Sequence, residues 1–262
     1  TVPVPVQYND TRFQWRSLTE GRVTIYWYRG DESFANELMV VAQQAMARLG
    51  IYTARPNLKR QCHELYADAR DLQGAMIYPQ EWTGGVAYTR YGIIAIGIAP
   101  NNLSWGKRAI AHELTHLVIH QMTLNPYSGL PVWLDEGLAM HTEGELEAEF
   151  STRLNRARDE GSFISVRSLS SPFSAYGEQA YLSYAQSYSL VEFLIDNYGQ
   201  DKMLALLLTF KQGSSYDGAL ETAYGFDTDG LNTLWQGYIT KPAQPVEKKG
   251  MHPALISLSS AF

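Results

Sequence analysis

The sequence predicts an α+β fold: a mixed α/β lobe, then a mostly helical lobe, with a metal cleft between them. Three observations predict it. Strand-like runs and one amphipathic helix occupy the stretch from Arg22 to Ile98. Beyond Gly144 nearly every segment has helical spacing. At the junction stand His112-Glu113-Leu114-Thr115-His116 and, further on, Trp133-Leu134-Asp135-Glu136-Gly137.

Arg22 to Tyr28 is β-branched and aromatic and reads as a strand, turned by Gly30-Asp31. Ser33 to Leu49 carries Phe34, Leu38, Val41, Ala45 and Leu49 at helical spacing and ends at Gly50. Pro56-Asn57 breaks the chain, and Gln61 to Tyr66 is a second strand holding Cys62 and His63. His63 has no partner at ligand spacing and reads as a strand-face residue. Asp68 to Leu72 is a short helix, and Trp82 to Ala87, with its Gly84-Gly85 pair, is a flexible turn. Tyr91 to Ala99 is apolar and closed by Pro100, so Ile93 to Ile98 reads as a strand just before the metal helix.

That helix covers Lys107 to Gln121, which has no Gly or Pro, and Asn102 or Ser104 could cap it. Ile110, Leu114, Leu117 and Val118 make it apolar on several faces, which predicts burial. Buried imidazoles need partners. Residues four apart share a helix face, so His112 and His116 point at one spot and suit a single zinc ion. Glu113 leaves the helix beside His112, close enough to reach a water on the metal without ligating it. Two histidines leave a third protein ligand to find, and Glu136 is of a common type. It lies in a second apolar helix that Pro131 suits at the start and Gly144 at the end. Thr123 to Leu130, with Asn125-Pro126 and Ser128-Gly129, is a turn-rich link that lets the two helices pack side by side.

Glu145 to Glu160 continues as a helix with Leu146, Phe150 and Leu154 on one face. Ser162 to Ser174 is a loop with a short strand at Phe163 to Val166. Helices follow at Gly177 to Tyr198, Asp201 to Gln212, Ser215 to Tyr224 and Thr228 to Ile239, and Lys241 to Gly250 is a linker with Pro242 and Pro245. The expected division is a leader (1–21), an α/β lobe ending in the metal helix (22–121), a helical lobe (122–240), and a linker with a tail (241–262). No internal repeat is present.

The chain has 262 residues, 45% hydrophobic and 18% charged, which is a globular balance with room for a large core. Net charge is −6 and no basic cluster exceeds Lys248-Lys249, which argues against nucleic acid as a partner. Six Trp and 17 Tyr suit aromatic packing and a groove for an extended ligand. Cys62 is the only cysteine, so there is no internal disulfide framework. The chain starts at Thr1 without Met, and Val2 to Val6 reads as a trimmed leader after a signal segment. The apolar Met251 to Phe262 after Lys248-Lys249-Gly250 reads either as the beginning of a membrane anchor or as a terminal turn. An extracytoplasmic or membrane-anchored location is therefore expected; oligomeric state is open.

The pair HELTH and WLDEGLA resembles the gluzincins, and within them the peptidase MA-like family, related to the thermolysin-type and aminopeptidase-type catalytic domains. The two motifs are a small part of the chain; the order of elements agrees, less specifically, from Arg22 to Ile239. The resemblance implies a zincin (thermolysin-like) domain that hydrolyses peptide bonds in peptide or protein substrates. It implies one Zn2+ per chain, with His112, His116 and Glu136 as ligands and Glu113 as general base. It also implies that the strand at Ile93 to Ile98 is a sheet edge to which substrate pairs, although its hydrophobicity equally fits a core strand. The Gly-x-Met-Glu-Asn signature of the aminopeptidase relatives is missing here, so a preference for free amino termini does not carry over.

Two further residues follow from the same resemblance. Tyr181, Tyr184 and Tyr188 share one helix face and read as an aromatic core stripe. The aminopeptidase relatives place a catalytic tyrosine in Tyr-x-x-Gly, which Tyr184-Ala185-Gln186-Ser187 resembles with Ser for Gly. This favours Tyr184 as an oxyanion donor, with Tyr181 next. Glu143 is seven residues beyond Glu136, on the same face. It is either solvated near the helix end or, as in relatives, bonded to a ligand histidine. His120, one further turn along from His116, either reaches an acceptor behind the ligands or, on the preferred reading, is a helix-end histidine favoured by the dipole, and His141 and His252 have no constellation around them. Zinc with three protein ligands lowers the pKa of a bound water toward about 7, and Glu113 would take its proton. The alternatives are a catalytically silent zinc-bearing binding domain and a zinc hydrolase of non-peptide amides.

Overall fold

The computed structural model describes residues 10–49, 61–76, 85–89, 91–127, 129–174 and 177–241. It is mostly helical with one small mixed sheet, an α+β arrangement. The sheet has the order β1-β2-β3-β5-β4, where β1 is Arg16–Glu20, β2 Val23–Trp27, β3 Gln61–Tyr66, β4 Gly85–Tyr88 and β5 Ile93–Gly97. The outer pairs β1/β2 and β4/β5 are antiparallel, and β2/β3 and β3/β5 are parallel.

Side chains alternate across the sheet. Ile25, Leu65, Ile94 and Ile96 face the main core. On the other face Tyr66 and Ala95 gather a smaller cluster with Phe13, Trp15 and Tyr28. Helix α1 (Glu32–Leu49) buries Phe34, Leu38, Ala45 and Leu49 in the main core and lies against β2 and α3 (Leu103–Thr123). A short helix, α2 (Ala69–Gln73), is capped by the Asp68 carboxylate, which accepts from the Asp71 amide.

Four sequence expectations are corrected here. Residues 10–20 are not a leader: Arg16–Glu20 pairs along β2, and Phe13 and Trp15 pack under the sheet. The strand before the metal helix is not an edge, because β5 lies between β3 and β4. Among the described residues the edges are β1 and β4, and the residues of β4 had read as part of a turn. Phe163 to Val166 forms no strand; a short helix, α6 (Val166–Leu169), begins there, with Ser165 accepting from the Ser168 amide. The breaks expected at Gly50 and Pro56-Asn57, the turn residues Trp82 to Gly84, and the linker and tail beyond 241 lie outside the described residues. Among the described residues no helix is long and apolar enough to cross a membrane.

The metal helix α3 is longer than its Gly-free stretch, because Leu103 to Gly106 joins it after a short turn at Pro100–Asn102. Helix α4 (Val132–Glu143) follows Pro131 and ends at Gly144, whose φ of 123° suits glycine. The link between them is held: the Asn125 amide donates to the carbonyls of Thr123 and Phe210. Then come α5 (Ala148–Glu160), α7 (Gly177–Tyr198), α8 (Gln200–Lys211), α9 (Tyr216–Tyr224) and α10 (Thr228–Ile239). Trp133, Leu138, Leu190, Val191, Leu207 and Trp235 join the same core as the sheet, so both halves of the chain share one interior.

Helix α4 lies between α3 and α7. Its approach to α7 is close enough that a Cβ on Gly137 would sit 2.4 Å from the Ser187 carbonyl oxygen and 2.7 Å from a Val191 methyl. Backbone cannot rotate out of the way as a side chain can. Gly137→Ala is therefore expected to force the helices apart and cost about 1–3 kcal/mol of stability. The gain in helix propensity, about 1 kcal/mol, works against this without cancelling it. Thermal unfolding should show a melting temperature lower by roughly 2–4 °C per kcal/mol lost. An unchanged melting temperature would mean that α4 and α7 pack less closely than described.

Candidate metal centre

Four residues of α3 stand one turn apart on one face: Arg108, His112, His116 and His120. Helix α4 answers with Asp135, Glu136 and Glu143. Glu136 points between the first two histidines, its Oε2 lying 3.3 Å from His112 Nε2 and 3.7 Å from His116 Nε2. The other nitrogen of each ring is engaged: His112 Nδ1 is 2.6 Å from Glu143 Oε1, and His116 Nδ1 is 2.9 Å from Asp135 Oδ1. If each Nδ1 donates, each Nε2 presents a lone pair toward Glu136.

The donor set fits a metal ion. The ligand atoms of His112, His116 and Glu136 lie within 4.8 Å of one another. Glu136 Oε2 is buried and makes no hydrogen bond, although His112 Nε2 is near. A buried carboxylate oxygen without a partner is costly, and a cation held by the three groups supplies one. Two nitrogens and a carboxylate oxygen, with room for a fourth ligand, are a common catalytic zinc set.

The electrostatics point the same way. Burial pushes both imidazoles down, yet Glu136 and Glu143 outweigh it at His112, and Asp135 and Glu136 lift His116 to about 9. Burial alone would raise Asp135 and Glu136, but the imidazoles hold both below the usual carboxylate range, Asp135 well below it. Such a cluster favours positive charge at its centre.

Glu113 is turned into the cleft beside His112 and makes no hydrogen bond among the described residues. Burial raises its pKa, and the carboxylates of Glu136 and Asp135 add to that against the pull of the two histidines. The start of β4 passes directly over it: a Cβ on Gly85 would be 2.9 Å from Glu113 Oε1. A larger residue there would oblige the Glu113 side chain to shift. The cleft, about 230 Å³, is walled by Trp105, Met140, Phe150 and Tyr184.

The three tyrosines of α7 go to three places. Tyr184 lines the cleft with His112 and Glu113; burial, then Glu136, Glu113 and Glu143, raises its hydroxyl far above the usual value. Tyr181 turns toward α5, its ring 5.3 Å from Phe150 and under the Arg153 guanidinium. Tyr188 donates to Glu192 at 3.3 Å and lies near His141. His141 stays apart from the metal cluster and is pushed down by burial. His63 lies in β3, and His252 is outside the described residues.

Sequence reasoning missed Asp135 and Arg108, put the reach of His120 to an acceptor behind a helix-end role, and missed Gly85 as a part of this arrangement. The signal for the first three was available. Arg108 and His120 are one turn outward from the two histidines, and Asp135 adjoins the ligand candidate Glu136.

No curated protein sequence matches the chain. A family model does, the peptidase MA superfamily, over residues 41–241, more than three quarters of the length. That span runs from α1 through α10 and takes in the two helices whose imidazoles and carboxylates converge. The agreement reaches well beyond two short motifs, and the protein belongs to the peptidase MA superfamily, a metallopeptidase group acting on peptides or proteins.

Proposed function

We propose that the protein is a zinc-dependent peptidase, with His112, His116 and Glu136 holding one Zn2+ and Glu113 acting as general base. The observation that carries this is the buried, unpartnered Oε2 of Glu136 between two imidazole nitrogens. Zinc held there supplies a Lewis acid and an activated water. Glu113, in the cleft and with no hydrogen bond to restrain it, takes a proton from the attacking water and returns it to the leaving nitrogen. Glu143 and Asp135 keep the ligand rings oriented through their Nδ1 atoms. Among the described residues β4 pairs with β5 alone, so its other side suits main-chain pairing with an extended peptide, and Gly85 brings that backbone close to Glu113.

Tyr184 donates its hydroxyl to the carbonyl oxygen as that oxygen gains charge. Its support is its place in the cleft, which Tyr181 and Tyr188 do not share. Losing one such donor costs about 10²–10³ in kcat. Tyr184→Phe should lower kcat by that order with KM, zinc content and melting temperature little changed. Tyr181→Phe should keep full activity; the reverse pattern would move the role to Tyr181.

The test of the function is hydrolysis of denatured casein. Cleavage should stop on adding a chelator and return with zinc. A chain that holds one zinc and leaves casein and short peptides intact would instead be a silent zinc-bearing binding domain.

A further inference from the structure

We infer that Arg108 and His120 are positioning residues for the metal centre: each holds the carboxylate that orients one ligand imidazole. The inference rests on the zinc reading above and extends it outward by one layer.

The two ligand histidines have matched surroundings. Glu143 gives one oxygen to His112 Nδ1 at 2.6 Å and the other to Arg108 Nη2 at 2.9 Å. Asp135 gives one oxygen to His116 Nδ1 at 2.9 Å and the other to His120 Nε2 at 2.7 Å. In both, a carboxylate of α4 bridges two α3 side chains one turn apart, and in both the outer one is a nitrogen donor. The chains Arg108–Glu143–His112 and His120–Asp135–His116 thus leave the metal cluster in opposite directions along α3.

The physical need is rotational. A carboxylate turns about its side-chain torsions, so it fixes an imidazole only if its own plane is fixed. A hydrogen bond to each oxygen does this, and bonds to charged groups are the short, strong ones. Glu143 and Asp135 are 11% and 19% exposed and Arg108 is 24% exposed, so these are not fully solvated pairs. Arg108 is braced in turn, its Nε lying 3.3 Å from Glu147 Oε1. His120, 37% exposed, is the more open end.

His116, His120 and Asp135 also lie close enough to suggest a second metal site. The hydrogen bonds argue against it. Both Asp135 oxygens are already engaged, and His116 would have to commit both ring nitrogens to metals. A cluster of bonded donors and acceptors needs no ion to satisfy it.

The readout is zinc release, followed with a chromogenic chelator on the full zinc-loaded chain. Removing a partner behind a ligand histidine typically costs 10–100-fold in metal affinity. One layer further out, Arg108→Met and His120→Ala should each speed release about 10-fold, the low end of that range. His120→Gln keeps an N–H that can reach Asp135 and should stay near the wild-type rate. Arg108→Lys keeps the charge but loses the forked geometry and should be intermediate; it also stands in if Arg108→Met fails to fold. A purely structural role predicts something else: a lower melting temperature of the zinc-free chain with unchanged release rates. That pattern would overturn the inference and leave the zinc reading standing. So would a second zinc per chain that disappears with His120. A wild-type chain that takes up no zinc would overturn both.

Discussion

Glu113→Gln should leave a protein that holds its zinc and has lost its hydrolysis. The substitution keeps the size and the cleft packing and removes the proton acceptor. General-base contributions are typically 10²–10⁴-fold, so kcat/KM should fall by about that factor. Zinc content should not move, because Glu113 lines the cleft beside His112 but is not among the groups that converge, which are His112, His116 and Glu136. The amide has nearly the carboxylate's shape, so it fits the same space beside Gly85. Parallel zinc analysis and peptide kinetics separate the possibilities. Loss of zinc together with activity would assign Glu113 a structural or ligating role.

The second large effect is on the ion itself. A His116→Ala, Glu136→Ala double variant removes two of the three proposed ligands and leaves Asp135 with His120 as its remaining imidazole partner. Elemental analysis should fall from about one zinc per chain to none, and casein cleavage to background. Stability should follow by linkage. A ligand at 100 times its Kd stabilises the folded chain by about 2.7 kcal/mol, so added zinc should raise the melting temperature of wild type and not of the variant. Zinc retained by the double variant would place the ion elsewhere.

Much of this arrangement could be read before the fold was known, for a local reason. His112 and His116 are tied by helix geometry alone, and Glu136 and Glu143 by the same geometry on the next helix, so only one packing decision remained. Bringing α3 and α4 together needed only the held link between them. The choice among the tyrosines was harder. Tyr181 and Tyr184 differ by a little less than one helical turn, and the packing of α5 decides which one reaches the cleft. Strand order was least legible. Ile93 to Ile98 is apolar at nearly every position, the mark of a strand covered on both faces, and that fitted an internal place as well as the edge suggested by resemblance, without deciding between them. The edge on that side, Gly85–Tyr88, is short and follows a glycine pair, which hides it as a turn. Asp135 was overlooked beside the more conspicuous Glu136.

Among the described residues strand β4 is bonded to the sheet along one side only, yet its first residue lies against the carboxylate of Glu113, the proposed base. On the proposed reading the ion would be held by two helices, α3 and α4, that are buried in the common core. Tolerance to change therefore differs between the two walls of the cleft. On that reading, substitutions along Val86 to Tyr88 should retune which peptides are accepted without loosening the metal, whereas drift in α3 or α4 should endanger both at once. A lineage built on this plan can diversify its diet cheaply while its reaction stays the same.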